Sequence, residues 1–218
     1  MANVAFQATA NNTGVGVTTV TIAAFNPGAG NNRVLVVGLS WGITTQPTNV
    51  AVTYGGVALT QVPGTRGGSG SEWCELWYLV NPSSTPGDIV ATWTTAADVV
   101  MGAVAANNSL QSAPVRNGKV INSDTGAKPT ITVASSSKNL SIDVIASQLA
   151  DSAPNQTSRW NVVSGNVSGA CSTATTPANQ VTHQWTTTTG FDNSHSACDI
   201  VSEDFVEPDG GGSYDDRY

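Results

Sequence analysis

RVLVVGLSW (33–41), NVAVTYGGVALTQV (49–62), EWCELWYLVNP (72–82) and DIVATWTT (88–95) follow one another with only turn residues between them. Each run is short and rich in β-branched and aromatic residues. That pattern predicts consecutive antiparallel strands and an all-β fold. Arg33–Trp41 is nearly continuous in apolar residues, which predicts a central strand buried on both faces. In Glu72–Val80 the period of two places Cys74, Leu76, Tyr78 and Val80 on one face. Gly55-Gly56 separates Val50–Tyr54 from Val57–Val62, and two glycines suit a type I′ hairpin because both central positions need positive φ.

Working outward, Val15–Phe25 alternates well enough for a strand, and FNPGAGNN closes it with a turn. PGTRGGSGS is a flexible loop carrying Arg66, and NPSSTPGD is a stop. Asp88–Thr95 and Val99–Ala106 read as two strands split by a short AAD turn. Residues 107–129, polar and holding two prolines, read as a long Greek-key crossover. Thr130–Ala134, Leu140–Ala150, Arg159–Val163, Gln180–Thr188 and Ala197–Val206 complete about ten or eleven strands, which fits a single antiparallel two-sheet β-sandwich of jelly-roll type. Residues 1–207 form that one domain, and 208–218 an extended acidic, Gly-rich C-terminal tail.

Charge narrows the function classes. Only 11% of the 218 residues are charged, against about 25% in an average soluble domain. Hydroxyls, amides and glycines supply the polarity, and such groups are covered by a neighbour at lower cost than ions. Seven acids against Arg217 put −6 on residues 199–218; eight acids and seven bases elsewhere leave −1 of the net −7. The body is nearly neutral and has no basic stripe, so nucleic acid is not an expected partner. The start MANVAFQATANNTG has neither a basic n-region nor an apolar h-region, so no signal peptide is expected. No run of about 18 apolar residues suggests a membrane span.

The chemistry-bearing residues are few. His183 and His195 are the only histidines, no GxSxG elbow accompanies them, and both are expected to be structural. Glu72 and Glu75 have opposite parity and point to opposite faces of their strand, unlike the paired acids of a glycosidase. Asp88 and Asp98 read as turn residues. Asp192, Asn193 and the acids of 199–209 hold no EF-hand-like spacing; no metal or cofactor is expected. Cys74 is expected to be a buried thiol. Cys171, in the loop-like SGACSTATTP, and Cys198 are either two free thiols or one disulfide. Trp41, Trp73, Trp77 and Trp93 lie in apolar runs and read as core. Trp160 and Trp185 sit in more polar settings, and are the candidates for stacking on a glycan.

NRVLVVGLSW, VTYGGVALTQV, ELWYLVNPSSTPGDIVATW, SLQSAPV and LSIDVIAS together resemble a β-sandwich module of tailed-bacteriophage structural proteins and bacterial surface or secreted proteins. The resemblance runs from about Asn32 to Ala150 and continues more weakly through RWNVVSGNVSGACS and HQWTTTT. The acid-rich last strand and EPDGGGSYDDRY depart from it. It implies a structural or adhesive role, no catalytic residues, and a virion or extracellular location. The leading expectation is a non-enzymatic phage protein that decorates or cements a capsid, bound to the major capsid protein or to copies of itself. A carbohydrate-binding or host-adhesion module is the alternative, and a self-assembling filament or sheath subunit a further one. In the tail, Gly210–Gly212 would be a hinge, Tyr214 and Tyr218 aromatic anchors in a neighbouring subunit, and Asp215 and Asp216 partners for basic groups there.

Overall fold

The computed structural model describes residues 2–123, 128–148, 154–175, 177, 179–186 and 192–204. These hold strands and no helix. In chain order they are β1 (Ala5–Phe25), β2 (Val34–Gly42), β3 (Ala51–Tyr54), β4 (Val57–Ala58), β5 (Thr60–Gln61), β6 (Gly67–Ser69), β7 (Glu72–Val80), β8 (Gly87–Asn107), β9 (Val115–Ser123), β10 (Thr130–Ala134), β11 (Leu140–Ser147), β12 (Thr157–Ser164), β13 (Val167–Ala174), β14 (Gln180–Gln184) and β15 (Asn193–Ile200). All pairings among them are antiparallel. β1–β8 make one sheet in the order β4-β3-β8-β2-β7-β5, with β1 on β8 and β6 on β7. A second sheet runs β12-β13-β11-β15-β9, and β10 pairs with β14 as a separate ribbon.

The first sheet curls into a nearly closed barrel. Two features cause this. β4 and β5 are one extended segment broken at Leu59; β4 pairs with β3 and β5 with β7, so the same stretch joins both ends of the strand order. β8 is a single strand whose neighbour changes from β3, over Ile89–Thr92, to β2, over Asp98–Ala106. The AAD segment, expected to be a turn, is therefore the corner where a continuous strand switches partners. β1 follows β8 round that corner with register shifts between Gly14 and Thr19. Its two halves meet: Asn12 Nδ2 donates to the Thr21 carbonyl at 2.7 Å, and Gly28 lies against Gln7. β1 begins ten residues earlier than expected because its first half is an intermediate-to-exposed strand of Asn, Gln, Thr and Ala, with too weak an alternation to register.

Parity on β2 divides the core as expected for a strand buried on both faces. Leu35, Val37, Leu39 and Trp41 point into the barrel, with Trp93, Met101 and Ile89; Trp41 and Trp93 meet edge to face at 6.0 Å. Val34 and Val36 point the other way and pack on the second sheet with Leu76, Val100, Ile142, Val144 and Trp160. Cys74, Leu76 and Tyr78 share that outward face. The two layers approach closely where side chains are missing. Gly38 pairs with Gly102, and the Trp160 indole lies so close over them that a Cβ on Gly102 would come within 2.3 Å of its ring. The ribbon covers the far face of the second sheet through Ile131, Val133 and Val181. Gly55 and Gly56 have φ of 54° and 81°, as a type I′ hairpin requires.

The second half departs most from expectation. The supposed crossover contains β9, an edge strand on β15. The supposed Cys171 loop is β13, which lies between β11 and β12 and is buried through Thr173. Its sequence VSGACSTA has small residues because both faces are covered by other layers; that smallness, rather than loop character, is what the composition signals. Cys74, Cys171 and Cys198 are all buried and free, so the disulfide alternative falls away.

Candidate functional site

Among the described residues, β11 carries a fully buried cluster of ionisable groups centred on a carboxylate. Leu140, Ile142, Val144 and Ala146 face the first sheet, so Ser141, Asp143 and Ile145 face the opposite way. On an isolated two-layer protein that face would be wet. Here β10, β14 and Trp185 cover it, and Asp143, His183, His195, Ser141, Ser172 and Trp185 are all buried. β13 brings Ser172 beside Asp143, β15 brings His195 opposite Ile145, and β14, paired with β10, brings His183.

Asp143 is fully used as an acceptor. Its Oδ2 receives the Trp185 indole N–H at 2.7 Å and His195 Nε2 at 2.8 Å. Its Oδ1 lies 2.8 Å from Ser172 Oγ and accepts the Ser172 backbone N–H. His183 Nδ1 is 3.1 Å from Ser172 Oγ and 3.6 Å from Asp143 Oδ2, while Nε2 is 2.7 Å from Ser141 Oγ, which in turn reaches the Cys198 carbonyl. Ser172 Oγ also lies 3.2 Å from Gln156 Oε1.

Burial alone would raise the Asp143 pKa, but the charge interaction with His183, the bond and charge of His195 and the Trp185 N–H outweigh it and hold the carboxyl below its ordinary range. Burial pushes His183 down to about 4, against the pull of Asp143. Near neutral pH the arrangement is thus a carboxylate wrapped in donors beside an uncharged imidazole. Nothing in the sequence exposes this: Asp143 alternates with apolar residues as a solvent-facing residue would, and only the ribbon, remote in sequence, buries it.

The other expected sites fall as follows. Trp160 is 4% exposed and Trp185 fully buried, so neither ring offers a face to a sugar; the glycan-stacking assignment is corrected, since one indole fills the space over Gly38 and Gly102 and the other caps Asp143. Tyr214, Asp215, Asp216 and Tyr218 lie outside the described residues, as do 205–213. The described acids near the C-terminus do not converge. Asp199 binds Ser135, Asn139 and Arg116, Glu203 binds Asn32, Asp204 pairs with Lys138, and Asp192 packs on Gly70. Among the described residues no cluster of three His, Cys, Asp or Glu is arranged to hold a metal. Asp98 is a tie rather than a turn residue: it accepts the backbone N–H groups of Gly16 and Asn166, fixing the β1 corner to the β12–β13 turn. Glu75, buried, holds Arg66, Gln61 and the Trp77 indole. Burial pushes the Cys74 thiol up to about 12 and also raises Cys171 and Cys198, so all three stay protonated near neutral pH.

A concavity of about 310 Å3 opens at one end of the barrel, between the β3–β4 hairpin and the Asn81–Gly87 turn. Val57, Leu79, Val80, Pro82 and Pro86 make its walls apolar. Its one ionisable group, the Tyr54 phenol, lies 2.9–3.2 Å from the carbonyls of Phe25, Ser83 and Thr85 and is occupied in holding that turn. Beside the Tyr54 phenol its polar side chains are Asn81, Ser83 and Thr85, and no carboxylate or imidazole lines it. No protein-family model, curated protein or solved structure matches the chain.

Proposed function

We propose that the protein is a non-enzymatic virion structural protein that decorates or cements a phage capsid through protein–protein contacts. One observation carries this: the groups that could do chemistry on a substrate are consumed as ties between layers. Asp143, His183, His195 and Glu75 are sealed from solvent, and the Tyr54 concavity has no carboxylate or imidazole to activate its hydroxyls. What faces out is nearly uncharged; the first 32 residues, including all of β1, contain no acid or base. Such a surface loses little on being covered by another subunit. The stacked sheets are taken as a β-sandwich of jelly-roll type, with residues 1–207 as the body and 208–218 as the latch to a neighbour. The adhesion alternative loses the two tryptophans on which it rested.

Quantitative mass spectrometry of purified particles tests the assignment. The protein is expected at a copy number comparable with the major capsid subunit, and deleting 209–218 should lower its occupancy without unfolding it. A few copies per particle, or none, would contradict decoration.

A further inference from the structure

We propose that the apolar concavity beside Tyr54 is the seat of this chain's own C-terminal segment, with Tyr214 filling it and Asp215 and Asp216 turned to the Arg33 guanidinium at its rim. Resting on the reading of Pro208–Tyr218 as a latch to a neighbour, this places the latch on its own subunit until a neighbour takes it.

The concavity is apolar surface left uncovered. Val57, on the β3–β4 hairpin, is 57% exposed; Pro86 is exposed too, and Leu79 and Val80 are half-buried. The turn that forms the other wall is already fixed by the Tyr54 hydroxyl, which lies among the carbonyls of Phe25, Ser83 and Thr85. A ring can enter without rearrangement. At about 310 Å3 the space is at the small end of ligand sites, which suits one aromatic side chain better than an extended ligand. A tyrosine presents an apolar body to these walls and a hydroxyl to Asn81, Ser83 or Thr85.

The C-terminal segment starts next to this opening. Glu203 bonds Asn32 through its side chain and the Asn108 carbonyl through its N–H. The next residue after Asn32, Arg33, reaches the Pro82 carbonyl at 3.0 Å and Asn81 Oδ1 at 3.3 Å, and both residues line the concavity. Asn32 and Arg33 thus join the point of departure to the rim. Tyr214 comes ten positions after Asp204, a contour of up to about 33–36 Å, and Gly210–Gly212 gives the freedom to turn back. So short a tether holds its end at an effective concentration of roughly millimolar, so a weak site is filled without a second copy.

Charge selects the ring. Arg33 is the one charged residue among the first 65. Its partners among the described residues are neutral: the carbonyls of Gly30 and Pro82 and the Asn81 amide oxygen. The carboxylates of Glu203 and Asp88 are bonded elsewhere, to Asn32 and to the Ala24 N–H. Asp215 and Asp216 directly follow Tyr214, so ring and carboxylates arrive together. Tyr218 instead follows Arg217, which would set like charge against Arg33.

Hydrogen exchange of the full chain, read by mass spectrometry at low protein concentration, tests this. Tyr214→Ala should speed exchange of peptides covering 54–58 and 79–87 about threefold or more, with β2 and the β12–β13 turn unchanged. Asp215→Asn combined with Asp216→Asn should give a smaller increase in the same peptides, and Tyr218→Ala none. Equal exchange in wild type and Tyr214→Ala overturns the proposal, as does an increase spread over the whole chain or an equal effect of Tyr218→Ala. Protection that grows with protein concentration assigns the occupant to a second copy and overturns it too. The readout is on the free protein, so failure here leaves the particle-occupancy test of the latch standing.

Discussion

The barrel and the second sheet are buried to the same depth by opposite means. Inside the barrel, Leu35, Val37, Leu39, Trp41, Trp93 and Met101 fill space with apolar surface. Under the ribbon, the second sheet fills it with Asp143, His183, His195, Ser141, Ser172 and a Trp185 whose N–H is bonded. The apolar core is non-directional and tolerates any residues of the right volume. The polar layer is directional: each donor must meet its acceptor, and a missing partner costs more than a missing methyl group. One half is held by what it excludes, the other by what it pairs.

This difference predicts how each half fails. The largest effect belongs to the apolar half. Leu35→Asp or Val37→Asp places an unpaired charge inside a strand buried on both faces, and the chain should be recovered insoluble; wild-type yields of soluble protein from both would mean the barrel interior is misassigned. In the polar half, Asp143→Asn keeps the volume but turns an NH2 toward donors from Ser172, Trp185 and His195. Breaking a buried charge network of this kind costs about 3–5 kcal/mol, read from urea denaturation. Where the halves meet, Gly102→Ala drives a methyl into the Trp160 indole, and overpacking should cost about 1–3 kcal/mol. Gly55→Ala sits in open space but at a φ of 54°, so only backbone strain of about 1 kcal/mol is expected. Equal costs for the two glycines would contradict the close approach of the sheets.

The same difference explains what can be read from the chain. β2 is legible because it is almost continuously apolar, and the β3–β4 hairpin and β7 because Val, Tyr, Leu and Trp recur there in short runs bounded by turn residues. The β1 corner is not, because its first half offers Asn, Gln and Thr. The β8 corner reads as a turn because Thr95-Ala96-Ala97-Asp98 carries no strong strand signal between two runs that do. β13 is hidden by its small residues. Asp143 is hidden most completely, since alternation assigns it to solvent and the ribbon that overrules it comes from residues 130–134 and 180–184. Both histidines read as structural from the sequence, but the carboxylate that gives them that role does not show there.

Whether the polar layer stabilises the fold with His183 uncharged is tested most directly by unfolding free energy against pH. In the folded protein His183 titrates near 4, below its ordinary 6.5. The unfolded chain therefore takes up a proton first as pH falls, and the native state loses stability between about 6.5 and 4, by on the order of 3 kcal/mol. The depressed Asp143 pKa adds a further loss below 3.8. Urea denaturation from pH 7.5 to 4 should show this decline in wild type, and a shallower slope in His183→Gln, whatever the variant's absolute stability. The same slope in both proteins would contradict it.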